Sequence, residues 1–335
     1  MTPVGSGSHD PSLGLILPAS LQGELLEEGG STFGTTTLAA SGVGTAGDLA
    51  AVCRRAEGAG ADSLWAVDHL YWPHPIGEAM TTLAVAATAT SRPALGTCVL
   101  QLPLRQPDAV AKQATALQLL SGGRFVLGLG VGSHEAEYQR AAADFRHRGR
   151  TLDEAVTRLR AAWGVAGSGH APGEDDGYVQ HPRSATVPLW FGGAGAAARR
   201  RAARVGDGWV PLFLTPEDYA EALGALRRET AAAGRPPEAV EPAVVVFVRI
   251  GDDHDAPRQG AAWLSELYRL PPHAFRRHLV AGSPEACAAA LRNFTEAGAR
   301  HIVVMVAGSP AVEHFEALRA AFAAREPAAL SGSRA

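Results

Sequence analysis

Four short clusters hold the residues whose types and spacing could do chemistry. The first runs Trp65-Ala66-Val67-Asp68-His69-Leu70-Tyr71-Trp72. An imidazole can exchange a proton with a substrate near neutral pH. Neighbouring side chains leave an extended segment on opposite faces, so one of Asp68 and His69 can point into a cleft. The structural alternative is that Asp68 caps the following loop and His69 is a satisfied core histidine. The second cluster, Gly128-Leu129-Gly130-Val131-Gly132-Ser133, has glycine at every other position. Ser133 stands where a dinucleotide fingerprint would place its last glycine, so this is not a Rossmann motif; its glycines still let backbone approach a flat ligand. The third, Phe191-Gly192-Gly193-Ala194-Gly195-Ala196, opens an Ala/Arg-rich helix. Amide groups at such a helix start form a phosphate site, with simple tight packing as the alternative. The fourth, Gly96-Thr97-Cys98-Val99-Leu100, reads as a core strand, and no basic neighbour marks Cys98 as a nucleophile.

What is missing narrows the chemistry. Lysine occurs once, at Lys112 within a helical stretch, which disfavours Schiff-base and pyridoxal-phosphate enzymes. There is no His-Glu-x-x-His and no Cys-x-x-Cys, and His134 with Glu137 is an isolated pair, so no metal is expected.

The elements that must position these clusters alternate along the chain. Strands are expected at 13–18, 63–67, 95–102, 125–131, 187–191, 209–213, 243–250 and 301–306. Several are continuously apolar, as parallel strands covered by helices are. Eight strands interleaved with helices predict a closed (β/α)8 barrel, with a doubly wound open sheet as the alternative. Insertions are expected after strands one, four and seven. The stretches 22–47 and 252–282 would lie at the carboxyl-end face, the second carrying Trp263, Leu264, Leu267 and Tyr268 as pocket wall or lid. Thr151 with Glu154 reads as a capping box, Thr215-Pro216, Ser283-Pro284 and Ser309-Pro310 as helix starts, and Gly60 and Gly298 as helix stops. Arg199, Arg200 and Arg201 read as a solvated face.

A chain of 335 residues with net charge −4 gives no reason to expect nucleic acid or an acidic membrane as partner. Three scattered cysteines do not make a disulfide framework. With no signal-like start and no uninterrupted apolar span, a cytoplasmic protein is expected. One barrel domain over 13–326 is expected between a flexible start, 1–12, and a flexible tail, 327–335.

Taken in order, these phrases resemble the bacterial luciferase-like superfamily of flavin- and deazaflavin-dependent oxidoreductases. The resemblance rests on Ala61-Asp62-Ser63-Leu64-Trp65 through Asp68-His69, Leu95-Gly96-Thr97, Leu119-Leu120-Ser121-Gly122-Gly123-Arg124 and Leu127 to Gly132. It continues through Glu137-Tyr138, Arg148 to Glu154, Pro188 to Gly193 and Val205 to Pro211. It implies a TIM barrel with the coenzyme ring at its carboxyl-end mouth and His69 and Asp68 flanking ring and substrate. Cys98 and Val99 would back the ring across a non-prolyl cis peptide, and Val131 and Gly132 would line it. Gly192, Gly193, Ala194 and Gly195 would hold the coenzyme phosphate.

The Asp-His element, the Gly-Thr-x-Val strand and the Ser-Gly-Gly-Arg phrase resemble the branch that uses coenzyme F-420 (F420, a deazaflavin), with FMN as the alternative. The implied reaction is hydride transfer with a small organic substrate, His69 handling the proton. The alternative is an FMNH2-dependent monooxygenase supplied by a flavin reductase. A homodimer is implied in either case. The chain departs from the sugar-phosphate dehydrogenase branch at Ser133, where that branch has a glutamate directly after the glycine.

Overall fold

The computed structural model describes residues 11–18, 45–74, 76–165 and 187–324. The two chain ends, most of the stretch 22–47 and part of the insertion after the fourth barrel strand lie outside the described residues.

Strands β1 (Ser12–Ile16), β2 (Ser63–Ala66), β3 (Ala94–Thr97), β5 (Phe125–Gly130), β6 (Leu189–Gly192), β7 (Gly208–Val210), β8 (Glu241–Ile250) and β10 (His301–Val306) pair in parallel in that order. Pairing of β10 with β8 closes the ring, giving the expected TIM barrel. The short β4 (Leu100–Gln101) continues β3 and pairs with β5. Between them the Cys98–Val99 peptide is cis, at the position the resemblance implied.

Alternation along each strand sorts the core into two shells. Leu64 and Ala66, Val244 and Val246, and Ile302 and Val304 face outward to the helices. Trp65, Trp190, Val126, Val245 and Val303 face inward and fill the barrel. Two tryptophans fit because glycine stands opposite: a Cβ on Gly96 would lie 2.2 Å from the Trp65 ring. Inside this apolar plug runs one polar chain. Trp65 Nε1 donates to Ser63 Oγ at 2.6 Å, and Ser63 Oγ lies 2.8 Å from Nε2 of the buried His301.

Helices α1 (Ala46–Gly58), α2 (Ala79–Ala89), α3 (Pro107–Leu120), α4 (Glu135–Arg140), α5 (Arg148–Ala162), α6 (Ala196–Val205), α7 (Pro216–Ala232), α8 (Ala256–Tyr268), α9 (Pro284–Glu296) and α10 (Ala311–Ala323) interleave with the strands. Thr215 caps α7 and Ser283 caps α9 through their hydroxyls, with proline in the first turn, as expected. Gly60 and Gly298 follow α1 and α9 with positive φ, as helix stops do.

Two start signals are corrected. Helix α5 begins at Arg148, so Thr151 is interior and returns its hydroxyl to the His147 carbonyl. Helix α10 has Pro310 as its cap residue, without a side-chain cap, after a cis Ser309–Pro310 bond. Lys112 lies in α3, as expected.

The insertion after β8 carries a strand that the apolar pattern did not reveal. β9 (Leu279–Gly282) pairs in parallel with the outer end of β8, outside the ring. Between them α8 and a short 3-10 turn, Pro272–Phe275, pack Leu264 and Phe275 against Phe247, with Trp263, Tyr268 and Phe213 at the edge.

Candidate active site

The carboxyl ends of the strands open onto a half-buried apolar floor of Val67, Cys98, Val99, Leu212 and Met305 above the buried tryptophan plug. Burial pushes the Cys98 thiol up to about 12, so it is a neutral part of this floor.

Asp68 and His69 part company at the end of β2. Asp68 is buried, with its carboxylate facing the backbone that follows the cis peptide. It accepts from Gln101 N at 2.9 Å and from Arg105 Nε at 3.3 Å, and pairs with Arg105 Nη2. Gln101 Nε2 returns a hydrogen bond to the Asp68 carbonyl at 2.9 Å. This arrangement is a clamp between the ends of two barrel strands.

His69 stands at the edge of a cleft. Its Nδ1 lies 3.0 Å from Glu137 Oε2, and its ring stacks on Trp72 with centroids 3.8 Å apart. Glu137 comes from α4 and is enclosed. It also accepts from Leu70 N at 2.6 Å, Tyr71 N at 3.2 Å and Gln101 Nε2 at 3.1 Å. Burial works against the ionised carboxyl, but the bonds from His69, Gln101 and Tyr71 outweigh it and hold Glu137 below the ordinary carboxylate value. An ionised carboxylate only accepts, so Nδ1 carries the proton and Nε2 is left as the acceptor. His134 stands edge-on to Trp72 at 4.6 Å, and burial lowers its pKa.

The loop after β5 brings Val131 and Gly132 beside this group. The Val131 carbonyl accepts from Tyr138 Oη at 2.5 Å. Gly132 has φ +66°, and a Cβ there would lie 1.8 Å from Gln101 Oε1, so no other residue fits without displacing the amide. That Oε1 is buried without a partner.

Gly192, Gly193, Ala194 and Gly195 lead from β6 into α6. Gly195 is the cap residue, no side chain caps the helix, and a Cβ on Gly195 would meet nothing within 4 Å. The first amides of α6 therefore have no side-chain cap. Arg199 and Arg201 are engaged by Glu229 and Asp153 and are largely buried, which corrects the solvated face expected there; Arg200 is exposed. A flat ring with a phosphate-bearing tail fits these features: an apolar floor, an enclosed acceptor lacking a donor, and an uncapped helix start.

Glu137, Gln101, Arg105 and Trp72 were not singled out as site residues by sequence. The phrase Glu137-Tyr138 was the one available signal. Trp72 and Tyr268 approach edge-on with centroids 6.4 Å apart, so the insertion forms a wall facing the β2 loop. A trio at the surface, Asp252, His254 and the half-buried Asp255, could offer ligand atoms to a cation but is not part of this cleft's lining. Among the described residues, no helix is long and apolar enough to cross a membrane.

A family model described as luciferase-like monooxygenase matches residues 28–269. The chain belongs to this family. Among its curated relatives, a phthiodiolone/phenolphthiodiolone dimycocerosates ketoreductase of Mycobacterium kansasii is 32% identical over 58% of this chain and 61% of its own length. An F420-dependent hydroxymycolic acid dehydrogenase of Mycobacterium tuberculosis is 32% identical over 64% of this chain and 62% of its own. The chain thus spans under two thirds of these relatives. An F420-dependent glucose-6-phosphate dehydrogenase of Kineococcus radiotolerans is 29% identical over 78% of this chain and 88% of its own. The fold matches that of an F420-dependent secondary alcohol dehydrogenase solved with an F420-acetone adduct, with TM-score 0.73, 18% identity and coverage of 93% and 99% of the two chains.

Proposed function

We propose that this chain is an F420-dependent oxidoreductase that moves a hydride between the deazaflavin and a small organic substrate. The observation that carries the reading is the imidazole of His69, fixed through Nδ1 by the enclosed Glu137 beside an apolar barrel mouth. Two of the relatives described above are named F420-dependent dehydrogenases.

When bound, the deazaflavin supplies the carbon centre that gives or takes the hydride. The protein supplies position and proton handling. Val67, Cys98, Val99, Leu212 and Met305 would exclude water from the coenzyme's ring, and Val131 and Gly132 would help to hold it. The uncapped amides after Gly192, Gly193, Ala194 and Gly195 would hold its phosphate. Nε2 of His69 takes the hydroxyl proton in alcohol oxidation and returns it in carbonyl reduction. Glu137 steadies the imidazolium formed on the way. Asp68 acts through Gln101 and Arg105 as a positioning residue. The working unit is one barrel over 13–326, cytoplasmic and homodimeric.

Titration of purified coenzyme-free protein with F420 and, separately, FMN tests this. Tight F420 binding with weak FMN binding is expected, without oxygen uptake during turnover. Preference for FMN with oxygen consumption would replace the reading by a flavin-dependent monooxygenase served by a flavin reductase.

A further inference from the structure

The cleft beside His69 has a composition the hydride-transfer reading does not explain. It encloses about 650 Å³ between the loop after β2, helix α4 and the end of α8, within the usual size of a small-molecule site. His69, Trp72 and His134 form its inner wall, and Arg140 and Arg269 stand in its lining. Neither arginine has a carboxylate within ion-pair distance among the described residues. The acid in the lining, Glu137, is turned to four donors of its own. Burial favours the neutral imidazole at His134. Two guanidiniums against one carboxylate leave the lining net positive.

Arg269 is placed at a conformational cost. It ends α8 with φ +54° and ψ +38°, the left-handed region where glycine is the usual residue. A glycine would end the helix more easily, so the guanidinium is not there for the turn. Arg140 lies one helical turn beyond Glu137 on α4, which puts the two on neighbouring positions of one face. Leu70 and Tyr71 of the lining remain exposed, as does Leu270 next to Arg269, giving the cleft an apolar rim.

We propose that this cleft selects a substrate with an apolar stem and a carboxylate, the reacting carbon at His69 and the carboxylate between Arg140 and Arg269. The inference rests on the hydride-transfer reading and adds the substrate class. A bidentate guanidinium suits a carboxylate, and the apolar rim suits the stem.

The test uses sodium decanoate and methyl decanoate as probes, with binding followed by calorimetry and Trp fluorescence on the full chain, and F420 titrated in parallel. Decanoate should bind at least tenfold more tightly than the ester, and Arg140→Ala should remove that preference. Arg269→Gly should also remove it while melting no lower than the parent, because glycine suits that backbone. F420 affinity should be unchanged in both variants. Equal binding of acid and ester, or decanoate binding unmoved in both variants, would overturn the proposal. A parallel loss of F420 affinity would assign the arginines to the coenzyme's own anionic groups and overturn it as well. Arginine-dependent decanoate binding to a protein that ignores F420 would support the carboxylate site and overturn the coenzyme reading instead.

Discussion

Glu137 Oε2 lies 3.0 Å from Nδ1 of His69, and the carboxylate that makes this contact is 1% exposed while the imidazole it holds is 21% exposed. An enclosed charge thus fixes the ring orientation and the proton position of a group that still meets the cleft. His69→Ala should lower kcat by ~10²–10⁴-fold, the range for losing a positioned acid–base group. The Kd for F420 should change little. Glu137→Gln should also lower kcat and move the pH profile, whereas a merely structural glutamate would lower stability alone. Steady-state kinetics across pH, beside thermal melts, separates the two.

Gly195→Asp offers a discriminating test of the phosphate site. Aspartate is a favoured cap residue and a Cβ there meets nothing within 4 Å, so helix α6 should gain a few tenths of a kcal/mol. The same carboxylate would occupy the amides and repel an anion. F420 and FMN affinity should both fall at least tenfold in a protein that melts no lower than the parent.

The Asp68 carboxylate is buried, and without its charge Arg105 keeps only the more exposed Glu78, 3.7 Å from Nη1. Asp68→Asn should cost about 1–3 kcal/mol, the range for weakening charge-assisted hydrogen bonds. Urea unfolding measures the loss, and a variant as stable as the parent would contradict the clamp.

Acid should act on the barrel plug through His301. Burial lowers its pKa to about 4 from an ordinary value of 6.5, so the unfolded chain takes up the proton first. Stability from this group is complete above the unfolded value and falls as pH drops from 6.5 towards about 4. The slope is about 1.4 kcal/mol per pH unit, a total of roughly 3 kcal/mol. His301→Gln, which keeps an acceptor for Ser63, should flatten the dependence by about one proton in melts between neutral and acid pH.

The barrel was legible because its strands are apolar and its punctuation is local. Gly60, Thr215 and Ser283 act where the sequence puts them, through contacts within four residues. Thr151 misled because a capping-box spacing also occurs inside helices, where the hydroxyl bonds back to a carbonyl one turn earlier. The site was half legible. His69, Cys98–Val99 and Gly132 carry unusual residue types or backbone, but Glu137 reaches His69 across 68 positions of chain, and no spacing rule encodes such a contact. β9 escaped because Leu279–Gly282 is short and only intermediate in burial until its last residue.

One strand has a double membership. Val303 to Val306 of β10 pair with Val245 to Val248 of β8, and β8 runs on to hold Leu279 to Gly282 of β9. The wall over the cleft is therefore bolted to the barrel by backbone, not hung from a hinge. Opening it would mean unzipping a ladder that shares residues with the barrel seam. Discrimination among substrates becomes a matter of which side chains the fixed wall presents, and grafting segment 252–282 from a relative would exchange a specificity without touching the proton-handling residues.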